Sequence, residues 1–431
     1  MLRRIRNAAV ILFISVLTGT LLLTLAFCLP VDRIRENVKA SLYHMLEVQE
    51  DENGDPDRKA LLAQKENFTE ALMVQNAFEK VDGRSPYEHA MYIYHYDLLD
   101  GTTWATEESL VTSLRQGTDD MYLREYSKYW HGYLLFLKPL LMLMTWSGLE
   151  VFWFVFVLLF TVVVSAVAFI KKEPGIGLGI LLAFAYMKPV RILISVDMSI
   201  CWMVAMGAVL YLLLRYGVLK EKQWTEGFFI IVGVATSYMD FLTYPVVTLV
   251  IPLCTVLLLE RGNVYSIKER ITGWLWNCLS WVYGYVGMWG MKWLVAEVTL
   301  RTGTLRNAAW SVITRTEPLD GRQSFFTGIM RMLEDIFSQY GSIWYMVGII
   351  FVAVLILSAL AVHIIKKQWK EVLPVSLELL AAAMIPLGWL VFTQNHSAIH
   401  CVFTFRVLGA SVYALWCIAV LFTGVFFRKN K

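Results

Sequence analysis

The chain has 431 residues, 57% of them hydrophobic and 17% charged, with a mean hydropathy of +0.55. That balance excludes a soluble domain of this length and indicates a polytopic α-helical membrane protein. The net charge of +3 decides little, and no basic stripe interleaved with aromatics points to nucleic acid.

The first element (residues 1–29) is apolar from Ala8 to Leu29 and follows Arg3, Arg4 and Arg6. It is longer than the core of a signal peptide, and Phe27 rather than a small residue precedes Cys28, so an uncleaved first transmembrane helix is expected. Residues 30–149 form a long polar loop. At its start Val31, Ile34, Val38, Leu42 and Met45 recur at helical spacing with charges between them, the pattern of a helix lying in the membrane interface. Asp51–Arg58 reads as a turn, and Tyr87–Trp104 is polar and rich in aromatics. Tyr126–Trp146 is apolar but broken by Lys138-Pro139. It is expected as a second interfacial or re-entrant helix.

Further spans are predicted at 150–170, 175–187, 198–214, 226–238, 241–259, 271–293, 342–365, 372–393 and 401–427. With the first helix they give an all-α polytopic membrane protein of about ten transmembrane helices. Residues 150–293 are the main bundle, 294–341 a second extracytoplasmic loop, and 342–431 the C-terminal helices. The turns at Lys171-Lys172, Arg215–Lys222, Arg261–Arg270 and Lys366–Lys370 and the tail Arg428–Lys431 carry the cations. They fall on one side, which puts both termini in the cytoplasm, the large loop outside, and the chain in a plasma membrane. Segments 175–187 and 226–238 reach only about 20 Å at about 1.5 Å per residue, against a core of about 30 Å. Lys188-Pro-Val-Arg191 and Ser237-Tyr-Met-Asp240 are therefore expected below the outer surface. No internal repeat supports an inverted-repeat transporter.

The six cysteines have no metal-ligand spacing and read as small buried hydrophobes. Polar motifs collect on the outer side instead. Asp32 stands at the mouth of the first helix with Glu36 one turn on, placed to act as a base or to begin a helix. Glu66 and Glu70 are carboxylates at i and i+4 with Asn67 and Thr69 between them, a set for a sugar, a metal or a solvated helix face. Asp240 joins two spans at a depth where a carboxylate needs a partner. His396 and His400, in Asn395-His-Ser-Ala-Ile-His400, share a helical face and can shuttle protons or bind phosphate. Lys188, Arg191, Lys292 and Arg406 run against the positive-inside trend. They require a partner such as Asp197, Asp240, Glu297 or a lipid phosphate. Glu378 has no evident role.

One span, a large outer loop flanked by two interfacial helices, and then many spans of uneven length: this architecture resembles the GT-C superfamily of membrane glycosyltransferases. The resemblance implies a sugar taken from a polyprenyl-phosphate carrier and passed to an extracytoplasmic acceptor. It implies an acidic base or metal ligand in the first outer loop, best matched by Asp32, with Glu36, Glu66 and Glu70 as weaker matches. The adjacent acidic pair of many members occurs only as Asp51-Glu52, in a turn beside Gly54 and Pro56. On this reading Asp32, Glu66, Glu70, Asp240 and His396 are the candidate catalytic residues. Lys188, Arg191, Lys292, His400 and Arg406 are the candidate ligands of the carrier phosphate. No cofactor is certain, and a divalent metal stays open. The partners are the lipid-linked donor, the acceptor and the bilayer. A flippase of lipid-linked glycans, or a non-catalytic cell-surface assembly protein, is the alternative from another class.

Overall fold

The computed structural model describes residues 2–41, 67–100, 104–263, 265–301, 303–317, 325–341 and 369–423. The N-terminal part contains α1 (Leu2–Ala26), α2 (Asp32–Ala40), α3 (Asn67–Phe78), α4 (Pro86–Tyr92), β1 (Tyr94–Asp97), α5 (Thr106–Arg115), β2 (Tyr122–Glu125) and α6 (Leu134–Leu143). Next come α7 (Trp146–Ile170), α8 (Pro174–Tyr186), α9 (Pro189–Ile194), α10 (Val196–Glu221), α11 (Thr225–Met239), α12 (Val247–Leu259) and α13 (Ile267–Leu300). The rest comprises α14 (Thr304–Thr316), α15 (Phe325–Ser338), α16 (Trp369–Phe392), α17 (Gln394–Ile399), α18 (Cys401–Thr404), a 3-10 turn at Phe405–Val407 and α19 (Leu408–Thr423).

The protein is an all-α membrane protein apart from one small ribbon. Among the described residues, five helical stretches are long and apolar enough to cross a membrane: Arg3–Ala26, Trp146–Ile170, Val196–Glu221, Leu373–Phe392 and Cys401–Phe422. Their outer faces stay apolar: Phe13, Leu17, Leu21, Val151 and Leu159 are all exposed, an arrangement that suits hydrocarbon rather than water. The expected span 342–365 lies outside the described residues.

Helices α8 and α11 are short, as expected, with 13 and 15 residues. Helix α12 is shorter than expected, with 13 residues, because residues 240–246 form a turn before it. Helix α13 is longer, with 34 residues. At about 1.5 Å per residue it exceeds a core of about 30 Å, and its last turns rise beside the N-terminal part. There Lys292 donates to Ala90 O at 2.7 Å, Trp130 to Met288 O at 2.6 Å, and Trp289 and Trp293 both to Lys128 O at 2.7 and 2.9 Å. Residues 67–100 and 104–133 thus lean on α13 as a cap over one end of the bundle.

The expected interfacial helix needs correction. Helix α2 runs from Asp32 to Ala40, and Ile34 and Val38 are fully buried. It packs on α3 and α6, with Arg33 and Asn37 donating to Met142 O and Leu141 O. Its apolar stripe therefore faces protein rather than lipid. Leu42 and Met45 lie outside the described residues. Helix α6 has ten residues with Pro139 inside, too short to span.

The aromatic-rich stretch becomes α4 and β1. A capping box between Ser85 and Glu88, with Pro86 in the first turn, starts α4. Ile93, at φ 53°, ends it. Strand β1 then pairs antiparallel with β2, Tyr94 opposite Glu125 and Asp97 opposite Tyr122. At the other end of the bundle ion pairs close the charged turns: Arg261 with Glu173 at 2.6 Å, Arg4 with Glu226 at 3.2 Å, and Arg270 with Glu378 at 2.5 Å. Glu378, unexplained by sequence, is one half of a largely buried pair.

Candidate functional site at the capped end

Helix α11 stops at Met239, and Asp240 organises the turn that follows. Its carboxylate accepts from Leu242 N at 2.8 Å, from Thr243 N at 3.1 Å and from the Thr243 hydroxyl. Leu242 is held at φ 71°, a left-handed conformation that β-carbons disfavour. Its carbonyl meets His396 Nε2 at 2.9 Å. His396 stacks near His400, with ring centroids 4.6 Å apart. Asn395 donates to Thr314 O at 2.6 Å and so fixes α17 against α14.

That attachment brings a basic, aromatic wall to the histidines. Arg315 donates to the Tyr129 hydroxyl at 2.5 Å, and the Lys128 ammonium lies 5.3 Å from the Tyr126 ring centroid. Tyr126 and Tyr129 pack on Phe241. Burial and the Arg315 charge push Lys128 down to about 8 and His400 down to about 4. Burial also holds His396 well below the usual imidazole range, assisted by His400, Arg315 and Lys128. Both imidazoles are therefore neutral at physiological pH.

A second group of cations lies at and beside residues 401–406. Lys188, at φ 53° between α8 and α9, donates to Gln339 O. Arg191 and Arg406 both donate to Val402 O, at 3.4 and 2.9 Å. Arg406 is 1% exposed, and its Nε has no hydrogen-bond partner. Its guanidinium stacks 4.6 Å from the Phe405 ring centroid. Burying a guanidinium with a donor left over is unfavourable. Two buried carboxylates stand nearby at the start of α10. Glu70 accepts from Val196 N at 2.6 Å, capping that helix from outside. Asp197 lies in its first turn, where its charge acts on Arg406, Tyr133 and Tyr244.

The sequence candidates thus divide. Asp240 and His396 meet across Leu242, with His400 beside them. Arg191 and Arg406 meet at Val402 O, with Lys188 near enough for their charges to act on it and Glu70 at the start of α10. Asp32 is exposed at the beginning of α2, with Glu36 exposed on the same helix. Glu66 lies outside the described residues. Lys292 does not join the other cations: it is fully buried beneath the cap, bonded to Ala90 O and 5.3 Å from the Trp130 ring centroid. Among the described residues, no three His, Cys, Asp or Glu side chains are placed to hold a metal. Sequence reasoning missed Lys128 and Arg315 as site members, whereas Asp197 was among the partners expected for the cations. Arg315 was one of five arginines in its loop, and Lys128 lay among aromatics with no motif around it.

No model of a known protein family matches this chain, and neither a curated protein nor a solved structure is similar to it.

Proposed function

We propose that the protein transfers a sugar from a polyprenyl-phosphate carrier to an acceptor at the capped end of the bundle. On this reading that end faces the extracytoplasmic side of a plasma membrane. The carrying observation is Arg406: a buried guanidinium with an unbonded Nε, beside Arg191 and Lys188, at the junction of a short apolar helix and a broken one. Arginine binds phosphate through paired hydrogen bonds, and a phosphate entering from the bilayer gives those donors a partner.

The chemistry follows from that placement. An acceptor hydroxyl attacks the anomeric carbon, and the bond from that carbon to the phosphate oxygen breaks. The electron pair leaves with the carrier phosphate. Cations stabilise the charge gathering there, and a base takes the hydroxyl proton. Lys188, Arg191 and Arg406 fill the first role. Asp32, Glu66, Glu70, Asp240 and His396 are the candidates for the second. Asp240 and Glu70 already accept backbone N–H groups, which holds them rigid. Asp32 is exposed and has no ion-pair partner among the described residues. Tyr126, Tyr129 and Phe241 offer ring faces on which a sugar can stack.

The test is transfer of label from a panel of polyprenyl-phosphate sugars by the purified chain in lipid. Wild type transfers from at least one donor, and Arg406→Lys, Asp240→Asn and Asp32→Asn separate donor binding from proton removal. Absence of transfer with every donor, from protein that unfolds cooperatively on heating, would sink the transferase reading in favour of a flippase or an assembly protein.

A further inference from the structure

A cleft of about 940 Å³ opens at the end of the bundle opposite the cap, between the first turns of α1, the start of α11 and the first half of α13. Helix α1 touches its neighbours closely at two places. A β-carbon on Gly19 would stand 2.9 Å from the Tyr238 ring, and one on Gly287 would stand 2.9 Å from Leu12. Towards its N-terminus α1 meets bulk instead. Arg4 pairs with Glu226 at 3.2 Å and lies 5.4 Å from the Trp276 ring centroid. Arg4 thus bridges α1 to α11 and α13 at the mouth of the cleft.

The cleft is polar at one end and apolar at the other. Its polar end carries Arg3, Arg4, Lys222 and Arg270 against Glu226, Glu260, Glu269 and Glu378. The formal charges balance, but the partners do not. Arg4 and Arg270 are taken by Glu226 and Glu378. Glu260 accepts from the hydroxyls of Tyr216 and Tyr265 at 2.5 and 3.0 Å. Glu269 accepts from the Ser266 N–H and hydroxyl at 2.8 Å. Glu226, Glu260 and Glu378 each face a cation and Glu269 is turned into the capping box of its own helix, whereas Arg3 and Lys222 have no ion-pair partner among the described residues. The site therefore favours an anion. Its other end is walled by Ile11, Ile230, Leu253 and Leu279, and Leu279 is 54% exposed on a helix whose neighbouring face is apolar. A small soluble anion has no use for such a wall.

We propose that this cleft holds one glycerophospholipid of the adjacent leaflet, its phosphate between Arg3 and Lys222 and one acyl chain along Ile11 and Leu279. The shape is amphiphilic in the order a lipid requires: cations at the level of the charged turns, hydrocarbon towards the middle of the bundle. The bound lipid fills the cleft between α1 and α13.

The experiment uses the full chain, purified and delipidated in detergent, with native mass spectrometry counting bound ligand. The probes are a short-chain phosphatidylglycerol, glycerol phosphate, and the diacylglycerol with the same chains. The phospholipid is expected to bind once, at least about tenfold more tightly than either of the others, a difference of about 1.4 kcal/mol. The double variant Arg3→Ser/Lys222→Ser loses that preference, and Lys268→Ser, an exposed cation outside the cleft, keeps it. Equal binding of glycerol phosphate would make this a free-phosphate site. Equal binding of diacylglycerol would leave only an apolar crevice. Either result, unchanged binding in the double variant, or no phospholipid bound at all overturns the proposal. The comparison of the three probes uses wild type alone and stands even if a variant fails to fold.

Discussion

Asp240 and His396 grip one residue, Leu242, from opposite sides. The carboxylate takes its N–H at 2.8 Å and the imidazole meets its carbonyl at 2.9 Å. Between them the backbone sits at φ 71°, which a leucine adopts only under such restraint. The link ties the turn after α11 to the helix that leads into the last span.

The two ends of this clamp are unequal. Asp240→Ala strands the N–H groups of Leu242 and Thr243 and the Thr243 hydroxyl in a buried turn, at about 1–3 kcal/mol for each unsatisfied donor before relaxation. His396→Gln keeps a donor near the Leu242 carbonyl. Thermal unfolding in detergent is expected to show a large loss for Asp240→Ala, a smaller one for Asp240→Asn and the smallest for His396→Gln. An equal loss in all three would mean that the histidine holds the turn as strongly as the carboxylate does.

Arg406 and Lys292 were equivalent cations in the sequence, and the structure gives them different work. If Arg406 meets the carrier phosphate, Arg406→Lys raises the KM for the lipid donor by about tenfold, a loss of about 1.4 kcal/mol, because an ammonium cannot reproduce the guanidinium fork. Lys292→Met instead removes a bond to Ala90 O while keeping the bulk beside Trp130. It lowers the melting temperature and leaves the donor KM unchanged. A shifted KM in Lys292→Met would return that residue to the phosphate site.

The different legibility of these two residues has a physical cause. The all-α membrane class and the short α8 and α11 could be read because each depends on local hydropathy and length. Lys188, Arg191 and Arg406 could be singled out as unusual cations for the same reason, but Lys292 stood beside them on equal terms. What could not be read is which face a buried side chain meets. Ile34 and Val38 carry the same periodicity whether they lie on lipid or on α3 and α6. Lys292 is as anomalous in sequence when it bonds one backbone carbonyl as when it binds a ligand. Arg315 and Lys128 reach the histidines only because Asn395 attaches α17 to α14, a contact between residues 81 positions apart.

The packing of α11 on α13 rests on two glycines. A β-carbon on Gly233 would stand 2.2 Å from Trp281 O, and one on Gly284 would stand 2.1 Å from Ile230 O. The neighbours are backbone atoms, which cannot rotate aside, so the helices would have to separate. Gly233→Ala and Gly284→Ala are each expected to reduce the yield of folded protein severely. Gly290→Ala, which meets nothing within 4 Å on the same helix, is expected to behave as wild type. A fully folded Gly284→Ala would show that the helices do not approach this closely.

Glu79 gives the cap a pH dependence of its own. Its side chain is 1% exposed and pairs with Arg35 at 3.3 Å, yet burial outweighs that partner and pushes its carboxyl up to about 7. Between about 4.5 and about 7 the folded state holds a proton that the unfolded chain has released, so this residue's contribution to stability falls as pH rises through that window. The buried histidines work the other way. His95 is pushed down to about 4, mainly by burial, so stability from it rises with pH between about 4 and about 6.5. The prediction is therefore placed on a difference. Wild type minus Glu79→Gln, measured by unfolding at a series of pH values, declines from pH 5 to pH 7 and is flat above that. A difference that is constant across the series would mean that Glu79 is ionised throughout and that Arg35 offsets its burial.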